Sequence, residues 1–508
     1  MAVNTPSPEH NETSEQRQIT RTLVGGTQAM RQAGKLFLPQ EPRESETAYS
    51  ARIERSVLTN IYGKTRSTFV GRVMKSLQLT DDTVTQIADI ADDIDNAGND
   101  IRTFATRAME HAVDDGIVYF LVDAPKAPNI VAETEEGEVP VTRTRAMDEA
   151  LGLRPFVNAI VAENMLFVRR DDDNKLAMVR YRSFDQRQDP DDEFSDIEVE
   201  QIHVLDMVEG RMRKRTYENK ADDDSDADFE IVDEVLTEFE SIPLVTLYTN
   251  RVRDDVAKPL FIDLANLNVR HWQSASDQAN IVHVARVPIL FGVGLVDEST
   301  QRPQSITIAA NSVVHGEPGA QLSYVEHTGK AAEAGRQELQ DLVDDMIRMG
   351  VEIVLNQKTG NQTATGRALD QAEADTLMNA VAEALENAFQ EIFIHLADAF
   401  GEEVGEDGAG GLNLNKDYTL EQGDAANMVA QLVQIWTASG ISHKAFVEEL
   451  RRRGVLSEDF DLEADEELIE AEKDAALDRE AAMMKLVAES SEPMKGEDED
   501  DEKEEDDE

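Results

Sequence analysis

The apolar residues of this chain change period twice, and that change constrains the fold more than any motif does. Before Gly116 they recur at helical spacing: Ile101, Phe104, Ala108, Ala112 and Val113 share one stripe, with Gly116 as a stop signal. An earlier helical section is expected over ESETAYSARIERSVLTNIYGKT, where Ile53, Val57, Leu58 and Ile61 lie near helical spacing. IVYFLVDAPKAP then predicts a short strand closed by prolines. From about 155 to 249 the runs PFVNAIVAENMLFVRR, KLAMVRYRSF, DIEVEQIHVLDMV and IPLVTLYT are rich in β-branched residues and partly alternating. Acidic turns at 171–173, 189–193 and 222–228 separate them. Helical spacing returns near Pro259, is interrupted over 287–325, and then dominates to about 488. The expected fold class is α+β, with helical ends and a β-rich middle.

The chain has 508 residues, 40% of them hydrophobic, enough for a large core. Asp and Glu number 104 against 49 Lys and Arg, a formal net charge of −55. So acidic a chain repels nucleic acid, which argues against a broad grip on phosphates. It is compatible with a pore that DNA slides through. The absence of cysteine excludes disulfides, thiolate nucleophiles and cysteine-ligated metal centres. The polar N-terminus lacks the apolar core of a secretory signal, and apolar stretches such as 117–122 and 287–295 are too short to span a bilayer. A soluble, cytoplasmically made protein is expected, with a disordered arm over 1–20 and a disordered acidic tail over 489–508.

Motifs for chemistry fail one by one. Gly63-Lys64-Thr65 mimics the end of a phosphate loop, but Leu58 stands where the first glycine is needed. Gly292-Val293-Gly294 lacks the third glycine of a dinucleotide fingerprint, with Asp297 in its place. DDDSDAD opens like a calcium loop, but Ala227 replaces the turn glycine and Asp233 the closing glutamate. The nine histidines form neither HExxH nor an i,i+4 pair. No catalytic residue, metal site or cofactor is expected, and the chain is read as a non-enzyme.

The stretch from Lys258 to Gly401 has distinctive wording. KPLFIDLANLNVRHWQSASDQANIVHVARVPILFGVGL runs from a Pro-Leu start through Asp-Leu-Ala-x-Leu-Asn and Ser-Asp-x-x-Asn to an apolar exit, with Leu260, Leu264, Leu267 and His271 near one helical face. ITIAANSVVHGEPGAQLSYVEHTGKA holds two short strands around a turn at Gly316 to Gly319. KAAEAGRQELQDLVDDMIRMG carries Leu339, Leu342, Val343, Met346 and Ile347 on one face and ends at Gly350. NQKTGNQTATG is a polar, glycine-punctuated loop with Thr365 a fair N-cap. Its neighbour TLMNAVAEALENAFQEIFIHLADAFG repeats apolar residues at 377, 381, 385, 389, 392 and 396, a stripe suited to internal core or to subunit contact.

In this order the segments resemble the portal proteins of tailed bacteriophages, in particular a group of portals sharing a formerly uncharacterised domain. Upstream, TAYSARIERSVLTNIYGKT and DIDNAGNDIRTFATRAMEHAVDDGIVYFLVDAP fit the same family in order, so the resemblance covers roughly residues 40 to 460. It implies a wing over 21–257, a first stem helix over 258–286, a clip over 287–329 and a second stem helix over 330–350. A tunnel loop over 351–366, a long helix over 367–401 and C-terminal wing or crown helices over 402–488 complete the expected plan. In the tunnel loop, Lys358 with Asn356, Gln357, Asn361 and Gln362 would touch DNA transiently and without reading its sequence. The resemblance further implies a dodecameric ring at one capsid vertex of the virion, assembled in the host cytoplasm. It would conduct double-stranded DNA during packaging and ejection, and would bind the major capsid protein, the terminase large subunit and head–tail adaptor proteins, without a membrane. The alternatives are a soluble acidic enzyme of a salt-adapted organism, or another head-assembly scaffold protein.

Overall fold

A computed structural model describes residues 2–125, 131–134, 137–140, 151–189, 192–219, 229–286, 289–293, 319–325, 330–351, 364–402, 408–414, 432–438 and 440–452, with a few isolated positions besides. It divides into two compact units, Met1–Tyr418 and Thr419–Glu508.

The N-terminal residues are ordered, contrary to the expected disordered arm. Helix α1 (Pro8–Glu12) starts where the Ser7 hydroxyl accepts the His10 N–H, and α2 (Ser14–Val24) follows. What the polar composition conceals is a set of buried polar contacts. Arg17 donates to Thr13 Oγ1 at 2.7 Å and to the His10 carbonyl at 2.6 Å, and the Thr20 hydroxyl donates to the Asp114 carbonyl at 2.7 Å. Helices α3 (Gly26–Ala33), α4 (Glu46–Arg55) and α5 (Ile61–Val73) come next. The single helical section expected over 44–65 is therefore two helices. Ser56 is extended, and Asn60 caps α5 by accepting the Gly63 N–H at 2.8 Å. Val57 falls in this break and is exposed. In α6 (Ile101–Asp115) the whole expected stripe is buried, and Gly116 at φ +83° ends the helix with its N–H on the Ala112 carbonyl. Any Cβ on Gly116 would meet the Lys258 carbonyl oxygen at 2.1 Å.

Strands β1 (Ile117–Asp123) and β2 (Phe156–Val161) join β8 (Leu244–Tyr248) in a three-stranded antiparallel sheet, ordered β8-β1-β2. Strand β1 is its centre and is buried on both faces, which is why it reads as a continuous apolar run. A second sheet holds β3 (Met165–Arg170), β4 (Leu176–Asp189), β5 (Asp192–Val208), β6 (Arg211–Asn219) and β7 (Phe229–Leu236), in antiparallel order β7-β6-β5-β4-β3. Strands β6 and β7 were not among the expected runs. RMRKRTYEN lacks apolar alternation and is held by charge instead: Asp206 on β5 takes hydrogen bonds from both Arg213 and Arg215. A short ribbon, β9 (Arg251–Arg253) with β10 (Val256–Ala257), closes the region.

The C-terminal half of the first unit holds helix α7 (Ile262–Ala285), hairpin strands β11 (Ile289–Val293) and β12 (Gln321–Val325), helix α8 (Lys330–Met346) and the long helix α9 (Ala364–Phe400). The apolar stripe of α9 lies inside the main core: Val381, Leu385, Phe389, Ile392 and Leu396 are buried, and Phe389 packs on Phe120 of β1 with ring centroids 5.6 Å apart. The stripe is thus internal core, one of the two roles its pattern allowed. In the second unit, residues 432–437 and α10 (His443–Arg452) are helical, with Trp436 stacked on Phe446.

Candidate functional site

Helices α7 and α8 with the β11–β12 hairpin form one structural feature, a stalk rooted in the body of the first unit. They run antiparallel: Gln278 donates to the Ala332 carbonyl at 2.7 Å, while Ser274 meets Glu338 at 3.4 Å. At the root, α7 is buried, and three of its polar side chains bond to the body. Fully buried Asn268 accepts the Tyr62 N–H at 2.9 Å and donates to the Thr59 carbonyl at 3.0 Å. Gln273 donates to the Phe37 carbonyl, and the Ser56 hydroxyl donates to that of Ser276 at 2.8 Å. Gly350, just past α8, admits Leu264 and Thr65 so closely that a Cβ would sit 2.5 Å from the leucine methyl.

Burial fades along the stalk on both helices. Beyond Ser276, Asp277, Ala279, Ile281 and His283 are exposed, whereas on α8 it is the residues nearest the root, Leu342 and Met346, that are buried. At the far end, among the described residues, β11 and β12 pair only with each other, with Phe291 opposite Ser323 and Val293 opposite Gln321. Phe291, Val293 and Leu322 stay 53%, 49% and 42% exposed. An isolated hairpin is marginally stable in water, so a stalk ending in one presents a surface that still needs a partner. The α8 surface is acidic on balance: Glu333, Glu338, Asp341, Asp344 and Asp345 against Lys330 and Arg336.

Of the two short strands expected around Gly316 to Gly319, the second is β12, and the first lies outside the described residues. Strand β12 pairs with β11, some thirty residues upstream by sequence, and residues 296–318, including most of the expected Gly316 to Gly319 turn, lie outside the described residues. Helix α8 is followed by a wider, π-type turn over Ile347–Val351, a form common beside functional sites. Asn356, Gln357, Lys358, Asn361 and Gln362 all lie outside the described residues, within 352–363. Helix α9 starts at Ala364, so Thr365 is inside the helix and not its cap.

The sequences weighed for catalysis sit in structural positions. Gly63-Lys64-Thr65 is the first turn of α5, with Thr65 fully buried. Gly292 and Val293 lie in β11, and 222–228 lie outside the described residues. Two histidines are held by hydrogen bonds: His10 Nδ1 bonds the Met165 carbonyl, and His203 lies between the Ser183 and Thr216 hydroxyls. Among the described residues no three His, Asp or Glu side chains converge as a metal site requires, and no helix is long and apolar enough to cross a membrane. A polar cleft between α4 and α7 is organised by Arg52, which is buried and holds Glu44 with two 2.8 Å bonds. That pairing keeps the Glu44 carboxyl below its ordinary pKa. A carboxylate so held is ionised and engaged, and Arg52 ties α4 to the stalk through Asp277 of α7 at 3.5 Å.

No curated protein matches the chain. Among solved structures it is similar to a chain in the neck of the empty gene transfer agent (GTA) particle computed with C6 symmetry, at TM-score 0.41 and 11% identity, over 78% of this chain and 89% of that one. A chain in the neck of the native GTA particle computed with C12 symmetry gives TM-score 0.38 and 11% identity over 78% and 89%. One in the virion of the native GTA particle gives 0.38 and 10% over 77% and 88%. Residues 259–399 match the family model described as a domain of unknown function (DUF4055), a stretch that coincides with the stalk and the long helix after it.

Proposed function

We propose that this chain is a portal-type subunit, one of a ring of copies at a capsid vertex that conducts DNA during packaging and ejection. The observation that carries the reading is the stalk. Two antiparallel helices, locked at one end by buried bonds from Asn268, Gln273 and Ser276, carry a bare two-stranded hairpin at the other. It occupies the stretch whose wording resembles the stem, clip and stem of portals. The exposed apolar hairpin suits packing against the neighbouring copies of a ring, and against terminase or an adaptor beyond them. The acidic balance of α8 suits a channel wall that DNA passes without adhering. On this reading the chain positions and conducts DNA and catalyses nothing. The ring is dodecameric, and its place is the virion.

The test is negative-stain electron microscopy of the purified chain, with class averages viewed down the symmetry axis. Rings with an open centre, near twelve-fold, are expected; a compact monomer would overturn the proposal and return the enzyme alternative to the front. Lys358, with its amide neighbours, is assigned the role of a weak brake on DNA. Lys358→Glu is then expected to alter DNA filling or retention in a packaging assay, and an unchanged result removes that role.

A further inference from the structure

The five-stranded sheet has two edges of opposite charge. Edge strand β7, FEIVDEVL, carries only anions, Glu230, Asp233 and Glu234, beside exposed Ile231, Val232 and Leu236. Among the described residues it pairs with β6 alone, so its outer backbone faces away from the sheet. At the opposite edge β3 ends in Arg169 and Arg170, and the β9–β10 ribbon lies beside it: Arg170 bonds Asp255 in the ribbon's turn, and α1 touches both β3 and β10. Strand β9 is Arg251-Val252-Arg253, all exposed, and among the described residues pairs only with β10. Arg251 and Arg253 reach Asp254 and Glu12, but these pairs are half exposed and of little worth in water.

An open strand with exposed apolar side chains invites a further strand, and β7 lacks the lysines or prolines that block such pairing. Its charges decide which strand. Two copies meeting β7 to β7 would set Glu230, Asp233 and Glu234 against the same three acids, and like charges across a strand pair are destabilising. Strand β9 offers the complement, cations alternating about an apolar Val252. We propose that β7 of one copy lies along β9 of the next, joining the sheets of neighbouring copies edge to edge. This deepens the ring reading and rests on it. A contact between two different surfaces of one chain is head-to-tail, the kind that closes rings when the rotation allows. Strand β7 forms one edge of the five-stranded sheet and the β9–β10 ribbon lies beside the opposite edge strand, β3, so the two surfaces are separated on one copy, as such a contact requires.

The absence of cysteine makes the test direct. Glu234→Cys and Arg253→Cys introduce the only thiols, and a short bis-maleimide reports their proximity. The chain carrying both substitutions should give a ladder of covalent oligomers, because a short linker cannot cross from one edge of the sheet to the other within a copy. The two single variants mixed should give dimers, and each alone none. Independently, Glu234→Lys should raise the concentration needed for half-assembly about tenfold. Adding Arg253→Glu in the same chain should bring it back. Rings in micrographs without cross-links from the double-cysteine chain would overturn the β7–β9 contact while leaving the ring reading intact. Cross-linking of Glu234→Cys to itself would overturn it in favour of a two-fold contact. A wild-type monomer would overturn both.

Discussion

The long helix α9 and the β11–β12 hairpin carry the same kind of side chain to opposite ends. On α9, Val381, Leu385, Phe389, Ile392 and Leu396 repeat at helical spacing and are buried against β1, β8 and the helices around them. On the hairpin, Phe291, Val293 and Leu322 are no less apolar, yet no other element of the described chain covers them. What differs is topology. The sheet ordered β8-β1-β2 passes beside α9, whereas the stalk carries the hairpin away from the body. Apolar pattern reports that a surface must be covered, and only the fold reports whether the chain covers it itself.

The comparison breaks most sharply at Phe389. This ring is fully buried and touches both Phe120 and Phe393. Phe389→Ala should cost about 3–5 kcal/mol, read as a lowered denaturation midpoint with an unchanged m-value. A cost below about 1 kcal/mol would show that α9 is not the centre of the core.

The five-stranded sheet lies between the two extremes, buried in parts and open at its edge. His203 on β5 is stacked on Tyr181 with centroids 4.7 Å apart, and burial, aided by the Lys214 charge, lowers its pKa from 6.5 to about 4. The unfolded chain therefore takes up a proton below about pH 6.5 that the folded chain refuses until about pH 4. Stability from this group is whole above the upper value and lost as pH falls towards the lower one, by no more than about 3 kcal/mol. Between those two values His203→Gln should flatten the acid slope of unfolding free energy. An unchanged slope would assign it to the carboxylates.

At the stalk root, Asn268→Ala removes two hydrogen bonds and takes the Asn268 acceptor from the buried Tyr62 N–H, while the Thr59 carbonyl keeps the Ile61 N–H. A loss of about 2 kcal/mol is expected, measured by denaturant. Faster amide exchange in α7 than in α9 would place that loss at the root. Equal exchange in both would mean that the stalk opens only with the core.

How far the sequence carries depends on which force holds each element. The α6 stripe with its Gly116 stop, the stalk helices and α9 were legible because helical apolar spacing is strong over long segments. Strands β6 and β7 were not, because cross-strand pairs such as Arg213 with Asp206 leave no apolar alternation in RMRKRTYEN. The N-terminal helices were hidden for a related reason: Arg17 and Thr20 are buried through hydrogen bonds that composition counts as polar and therefore solvated. The break between α4 and α5 turns on one side chain, the Asn60 cap, set inside an otherwise helical apolar pattern. At the candidate site, wording located the stalk, but the bareness of its hairpin depends on distances from the body that no local pattern holds.

The smallest effect on folding is expected at Phe291, and it is the most informative about function. Its ring is half exposed on a hairpin none of whose described side chains belongs to the main core. Phe291→Ser should therefore change unfolding free energy by no more than about 0.5 kcal/mol, against about 3–5 kcal/mol for the same class of residue at 389. If the hairpin is covered only by neighbouring copies, Phe291→Ser should instead reduce the fraction of chain in rings, read by sedimentation velocity at matched concentration. A variant that loses folding stability as Phe389→Ala does would mean the hairpin is covered within the chain. One that leaves both folding and assembly unchanged would mean that Phe291 meets a partner other than this chain.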